Sequence, residues 1–217
     1  MANPRQLAEN LIEDAVTEIS NSGAPRPEKH FIFYNPPLLN QEMGIRRSSL
    51  LETRMLAEEL LRHDLQTIVF TRSRLGVEVL LTYLQSGEKL LPGEESRIKG
   101  YRGGYLPRER RAIEEGLRKG RVKAVVSTNA LELGIDIGQL EACLINGYPG
   151  TIASSWQQAG RTGRRSGASL AVLIANSEPL NQYIVNHPDY FFKRSPERAL
   201  INPDNLIILT NHLRCAC

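Results

Sequence analysis

Residues 154–165 read Ser154-Ser155-Trp156-Gln157-Gln158-Ala159-Gly160-Arg161-Thr162-Gly163-Arg164-Arg165, with three arginines inside five positions and two glycines among them. A guanidinium carries a planar fork of donors that matches phosphate oxygens two at a time. Glycine lets the backbone approach a partner closely. The run points to a phosphate-bearing partner, nucleic acid or nucleotide, and by itself does not choose between them. Thirty residues upstream, the apolar Val125-Val126 leads into Ser127-Thr128-Asn129 and then Gly134-Ile135-Asp136. A hydroxyl and an amide at the carboxyl end of a buried strand stand where open α/β sheets bind ligands. A helix starting there offers unpaired N–H groups to phosphate. A plain helix cap at Thr128, contributing about 1 kcal/mol, fits the same residues equally well. Asp136, just past a glycine, suits contact with a hydroxyl or a metal-bound water, or an ordinary turn.

Positioning these residues requires a sheet. Short, mostly apolar segments at 31–34, 67–71, 97–99, 124–127, 142–145 and 169–174 are each closely followed by Gly, Pro, Ser, Thr or Asn, the pattern of strands buried on both faces. Between them, helical spacing is predicted over 48–63, where Leu50, Leu51, Met55, Leu56, Leu60 and Leu61 recur, and over 73–83 and 107–119. Pro107 suits a first helical turn and Gly120 a stop. Residues 86–95 carry two glycines and a proline and read as a loop. The alternation predicts an α/β fold, a mostly parallel sheet with helices on both faces. After residue 176 the pattern breaks: prolines at 179, 188, 196 and 203 predict a helix or two and then an extended connector, and the last residues, His212 to Cys217, read as cut off.

Taken together these segments resemble the second, C-terminal RecA-like lobe of superfamily 2 helicases, the DEAD/DEAH-box class. Residues 127–136 are similar to its motif V, and Gln157-Gln158-Ala159-Gly160-Arg161-Thr162-Gly163-Arg164 to its motif VI. Thr67-Ile68-Val69-Phe70-Thr71-Arg72-Ser73-Arg74 resembles motif IV, and Tyr101-Arg102-Gly103-Gly104-Tyr105-Leu106-Pro107 the short glycine element after it. Asn129-Ala130-Leu131-Glu132-Leu133-Gly134-Ile135-Asp136-Ile137-Gly138, with Gly147-Tyr148-Pro149-Gly150-Thr151, resembles the branch containing the bacterial mitomycin-repair and yeast RecQ-four-like helicases. The resemblance implies a RecA-like lobe over 1–178 and, over 179–217, a connector and the start of a zinc-binding module in which Cys215 is a metal ligand.

By the same resemblance, Arg161 and Arg164 are arginine fingers toward ATP, with Gly134, Asp136 and Gln157 facing the same cleft. Thr71, Arg72, Arg74, Gly103, Gly104, Thr128 and Asn129 grip the backbone of single-stranded nucleic acid, DNA by the branch likeness, in a repair setting. ATP and Mg would be held mainly by the first, N-terminal RecA-like lobe. That lobe's phosphate-cradling Gly-x-x-x-x-Gly-Lys-Ser/Thr loop and Asp-Glu pair have no counterpart here, because the chain contains no Gly-Lys and no Asp-Glu dipeptide. The chain alone is therefore expected to be inactive as an NTP hydrolase.

Composition narrows the remaining classes. With 41% hydrophobic and 24% charged residues the chain is of globular type, which argues against disorder and coiled coil. No apolar run reaches the roughly 18 residues of a membrane span, so a membrane partner is not expected. Three cysteines cannot build an even disulfide framework, and a reducing cytoplasm is the expected compartment. A net charge of +3 permits a nucleic-acid partner without demanding one. A duplex translocase or remodeller shares the second-lobe motifs and stands beside the helicase reading, as does a stand-alone nucleic-acid-binding module. A dinucleotide-binding enzyme would need Gly-x-Gly-x-x-Gly after the first strand, where this chain has Asn35-Pro36-Pro37. Trp156, Tyr101 and Tyr105 are read as packing before base stacking. Cys143 is read as a buried small hydrophobe.

Overall fold

The structure is a computed structural model and describes residues 1–23, 28–88, 92–133, 135–138, 140–163, 167–202 and 204–216. Its strands are β1 (Lys29–Tyr34), β2 (Leu38–Asn40), β3 (Ile45–Arg46), β4 (Thr67–Thr71), β5 (Ile98–Tyr101), β6 (Ala124–Ser127), β7 (Ala142–Asn146) and β8 (Ser169–Ile174). Its α-helices are α1 (Pro4–Ile12), α2 (Ser49–Arg62), α3 (Arg74–Ser86), α4 (Pro107–Arg118), α5 (Ile152–Ala159), α6 (Pro179–Asn186), α7 (Pro188–Phe192) and α8 (Leu206–Ala216). A 3-10 turn covers Asn129–Leu131. Two compact units are formed, Arg26–Lys193 on one hand and the terminal stretches Met1–Pro25 with Arg194–Cys217 on the other.

The larger unit is a six-stranded sheet in the order β1-β8-β7-β4-β6-β5, parallel throughout. In a parallel sheet every strand runs the same way, so every carboxyl end opens on one edge. The residue types explain the layers. Along β4, Ile68 and Phe70 join one buried cluster while Val69 joins the other, and β6, β7 and β8 alternate in the same way. The first cluster meets α4 through Leu117, α5 through Ile152 and Ala159, α6 through Ile184 and α7 through Phe191. The second meets α2 through Ala57 and α3 through Val77, Leu80 and Leu84. Every residue of β4 is buried, as its place between two other strands and two helical layers requires.

The α/β lobe is RecA-like, as its motifs implied. The helix over 73–83 runs three residues further, to Ser86, and Ser73 caps it by accepting the Gly76 N–H at 2.9 Å. After Ser86, the segment to residue 95 is turn or irregular where described, with residues 89–91 outside the described set. A short hairpin, β2–β3, was not foreseen. It is tied to the lobe by Glu52, buried in the first turn of α2, which accepts from the Tyr34 hydroxyl at 2.5 Å and pairs with Arg47 at 3.2 Å. That bond to Glu52 holds the Tyr34 hydroxyl above its ordinary pKa.

The lobe also extends further than proline counting implied. Phe191 of α7 is fully buried and meets Phe31 and Phe33, each at 5.1 Å between ring centres. Residues 179–193 therefore pack with the sheet, Phe191 within the lobe core and Tyr190 against it. In the terminal unit, the Asn3 side chain both donates to and accepts from the Ala199 backbone at 2.9 Å. α8, also unforeseen, leaves Leu206, Ile207 and Ile208 exposed.

Candidate functional site

The carboxyl edge of the sheet gathers the ends of β4, β6 and β7. There Thr71, Arg72 and Asn129 line a cleft of about 220 Å³ together with Glu132, Asn146, Gly147, Ser154 and Gln158. Thr71 is buried and its hydroxyl donates to the Ser73 carbonyl at 2.9 Å, which shapes the entry to α3. Arg72 is exposed and pairs with Glu178 at 2.6 Å, while Arg74 is exposed at the first position of α3. Thr128 is half-buried and caps the 3-10 turn, its hydroxyl accepting from the Ala130 N–H at 3.4 Å, and Asn129 is exposed beside it.

Gly103 and Gly104 do not line this cleft. They lie in the exposed turn after β5, and Gly104 has φ +102, a conformation glycine adopts readily. Beside them Arg102 pairs with Glu78 at 2.7 Å and stands over the Tyr105 ring at 5.0 Å. The hydrogen bond to Glu78 raises the Arg102 pKa above its ordinary value. The neighbouring tyrosines are structural. Tyr101 is buried and donates to Glu114 at 2.8 Å, and burial followed by that bond pushes its hydroxyl up to about 12. A side chain on Gly100 would collide with the Tyr105 hydroxyl.

The arginine run begins where α5 ends. Arg161 is half-buried and aims its guanidinium at two backbone carbonyls of the preceding motif: Nε donates to Glu132 at 3.0 Å and Nη1 to Ile135 at 2.7 Å. Carbonyl oxygens accept from a guanidinium and so fix its orientation. Lys29 clamps the same bend by donating to the carbonyls of Ala159 at 2.5 Å and Thr162 at 3.0 Å, and Gly163 N–H donates to Leu140 at 3.2 Å. Arg164 and Gly134 lie outside the described residues. Asp136 is exposed and its carboxylate accepts the Gly138 N–H at 3.1 Å, which is the turn role. Gln157 is exposed on α5.

The two glycines of the run have an internal explanation. A side chain at Gly160 would press on the carbonyls of Trp156 and Gln157 at 3.0 and 3.1 Å. Gly163 has φ +81, and a Cβ there would collide with the Ser169 hydroxyl. Close approach to a ligand, the reason first read into them, is not needed to account for either. Trp156 packs on Phe31 at 5.2 Å and Phe191 at 5.5 Å. Cys143 is fully buried, and burial pushes its thiol pKa well up.

Sequence reading missed the residues beside those it named. Gln158, not Gln157, is buried, and its Nε2 donates to Glu132 Oε2 at 2.9 Å. Ser154 donates to the same oxygen at 2.7 Å. The available signal was a carboxylate between two leucines, Leu131 and Leu133, and a serine four residues before a glutamine on one helix. Gly147, at φ +81, and Asn181, which accepts the Tyr148 N–H at 2.7 Å, complete the loop after β7. In the terminal unit Cys215 is exposed on α8, and Cys217 lies outside the described residues. Among the described residues no group of three or more His, Cys, Asp or Glu is placed to hold a metal ion, and no helix is long and apolar enough to cross a membrane.

Comparison with known proteins places this geometry. The family described as helicase conserved C-terminal domain matches residues 52–166. The chain is 57% identical over 216 residues to the uncharacterised ATP-dependent helicase YprA of Bacillus subtilis, covering 100% of this chain and 29% of that protein. It is 37% identical over 210 residues to the ATP-dependent helicase HRQ1 of Saccharomyces cerevisiae, covering 93% of this chain and 19% of the relative. A crystal structure of the DUF1998 helicase MrfA bound to DNA and AMPPNP superposes with a TM-score of 0.89 at 55% identity, over 100% of this chain and 30% of that one. The chain thus spans under a third of the length of these relatives. With the motif segments, the parallel sheet and the 52–166 match in agreement, the chain belongs to the helicase conserved C-terminal domain family, as a RecA-like lobe of the YprA, HRQ1 and MrfA kind.

Proposed function

We propose that this chain is the second motor lobe of an ATP-dependent DNA helicase, acting in DNA repair in the cytoplasm. The observation that carries the reading is the seating of Arg161 on the Glu132 and Ile135 carbonyls, which joins motifs V and VI beside a cleft holding Thr71, Arg72 and Asn129. In this reading Arg161 and Arg164 face ATP held by the N-terminal RecA-like lobe, with Gly134, Asp136 and Gln157 on the same side. Preorganised guanidiniums stabilise the charge that develops on a transferred phosphoryl group. When bound, ATP supplies the phosphoanhydride whose cleavage drives the motor. Arg161 fits it, since the Glu132 and Ile135 carbonyls orient its guanidinium. In this reading magnesium is held mainly by the N-terminal RecA-like lobe, and Cys215 is a zinc ligand only in the intact protein's C-terminal module; among the described residues no group of three or more His, Cys, Asp or Glu is placed to hold a metal ion.

The nucleic-acid side is Thr71, Arg72, Arg74, Gly103, Gly104, Thr128 and Asn129, contacting backbone phosphates of a single strand. Such contacts set position without reading sequence. Crystallised MrfA is bound to DNA, which supports DNA as the partner. The reading is tested on this chain by titrating an oligothymidylate at several salt concentrations. Three neutralised phosphates give a log–log slope near −2, from roughly −0.7 per phosphate of a single strand. A slope near zero, or ATP turnover by the isolated chain that depends on Arg161, sinks it.

A further inference from the structure

One residue touches both halves of this site. Glu132 directly follows the 3-10 turn that starts at Asn129, and its N–H donates to the Asn129 carbonyl at 2.9 Å. Its carbonyl accepts from Arg161 Nε at 3.0 Å and also from Nη2 of the same guanidinium. The residue is 8% exposed, and its carboxylate accepts from Ser154 at 2.7 Å and from Gln158 at 2.9 Å, both on α5, the helix that leads into Arg161. Backbone and side chain of a single residue therefore hold the arginine bend from two directions, directly and through α5. On its other side the residue is one 3-10 turn from Thr128 and Asn129.

A carboxylate is an unusual choice for that place. Burying an ionised group is costly unless hydrogen bonds satisfy it. A purely structural link could have used an apolar residue, as Leu131 beside it does, being fully buried in the core. An acceptor with two directed donors fixes α5 against the 3-10 turn in one register, which apolar contact does not do. Residues 129–132 and 154–161 then move as one body. A phosphate drawn to Thr128 and Asn129 shifts that turn, and the shift is passed to Arg161 through Glu132.

The geometry points to Glu132 as a positioning residue that couples single-strand contact at Thr128 and Asn129 to the orientation of Arg161. The inference rests on the helicase reading above and adds the link between its two sides. It is tested on this chain by nuclear magnetic resonance, following the Arg161 Nε–H signal during titration with a short oligothymidylate. In the unsubstituted chain the signal moves as the strand binds. In Glu132→Ala the strand still binds, while most of the movement is lost. Glu132→Gln keeps an acceptor oxygen and restores most of the movement, which a role limited to charge would not allow. Ser154→Ala, half-buried and removing only one donor, gives an intermediate loss and serves if the alanine variant at 132 fails to fold. Equal movement of the signal in Ser154→Ala and in a folded Glu132→Ala overturns the inference, as does strand binding that leaves Arg161 unmoved in the unsubstituted chain. Absence of strand binding by the unsubstituted chain overturns the helicase reading itself.

Discussion

Two regions of the candidate site are built on opposite principles. Around Arg161, the residues Glu132, Ile135, Ala159 and Thr162 supply backbone carbonyls, and Lys29 reaches in from the start of β1 to hold the bend. Around Arg72 and Arg102 the partners are side chains, Glu178 and Glu78, on the surface. A backbone carbonyl inside a packed lobe keeps its neighbours, so the first region moves only as one body. A surface carboxylate contributes at most about 1 kcal/mol to such a pair and is readily exchanged for another anion. The difference teaches where each kind of phosphate would be met. A transition state rewards a group already in place. A strand that must be gripped and released rewards groups that change partners cheaply.

Substitutions can break this comparison or sharpen it. The largest effect is expected for Arg161→Ala in the intact helicase, where ATP turnover driven by single-stranded DNA should fall about a thousandfold, the lower bound for lost arginine fingers. A steady-state ATPase assay showing less than a tenfold loss would remove the catalytic half of the contrast. Next is Gly163→Ala, which forces a side chain into φ +81 against Ser169. It should cost about 2 kcal/mol in denaturant unfolding of this chain, within the range for strained backbone. Unchanged stability would mean the arginine bend is less constrained than its contacts imply. The smallest is Arg72→Ala. Breaking an exposed ion pair should leave stability within about 0.5 kcal/mol, while the salt slope for oligothymidylate binding should fall by about 0.7. A large loss of stability there would place Arg72 with the pinned group and erase the distinction.

Much of this was legible from residue order. The strands at 67–71, 124–127 and 169–174 are found where apolar runs ended in polar residues, because strands buried on both faces carry an unmistakable composition. The packing roles of Trp156, Tyr101 and Cys143 were also legible, since large rings and small thiols beside apolar runs are usually core. The reach of the lobe was not. Prolines at 179 and 188 look like breaks, yet each occupies the first turn of a helix, where its missing N–H is no loss. The hairpin β2–β3 was hidden because Leu38, Leu39 and Ile45 are exposed and show no burial pattern to read.

Sequence by itself determined the motif set and its order, and with them the family, the parallel sheet and the candidate residues from Thr71 to Arg161. Those depend on local composition, which the chain carries residue by residue. Only the tertiary structure decided which of two adjacent glutamines is buried, that Gly160 and Gly163 serve internal packing, and that Arg161 is held by the carbonyls of Glu132 and Ile135. Which way a side chain turns depends on what lies across the lobe from it. Glu132 and Gln158 are 26 positions apart, and no local pattern encodes a bond over that distance.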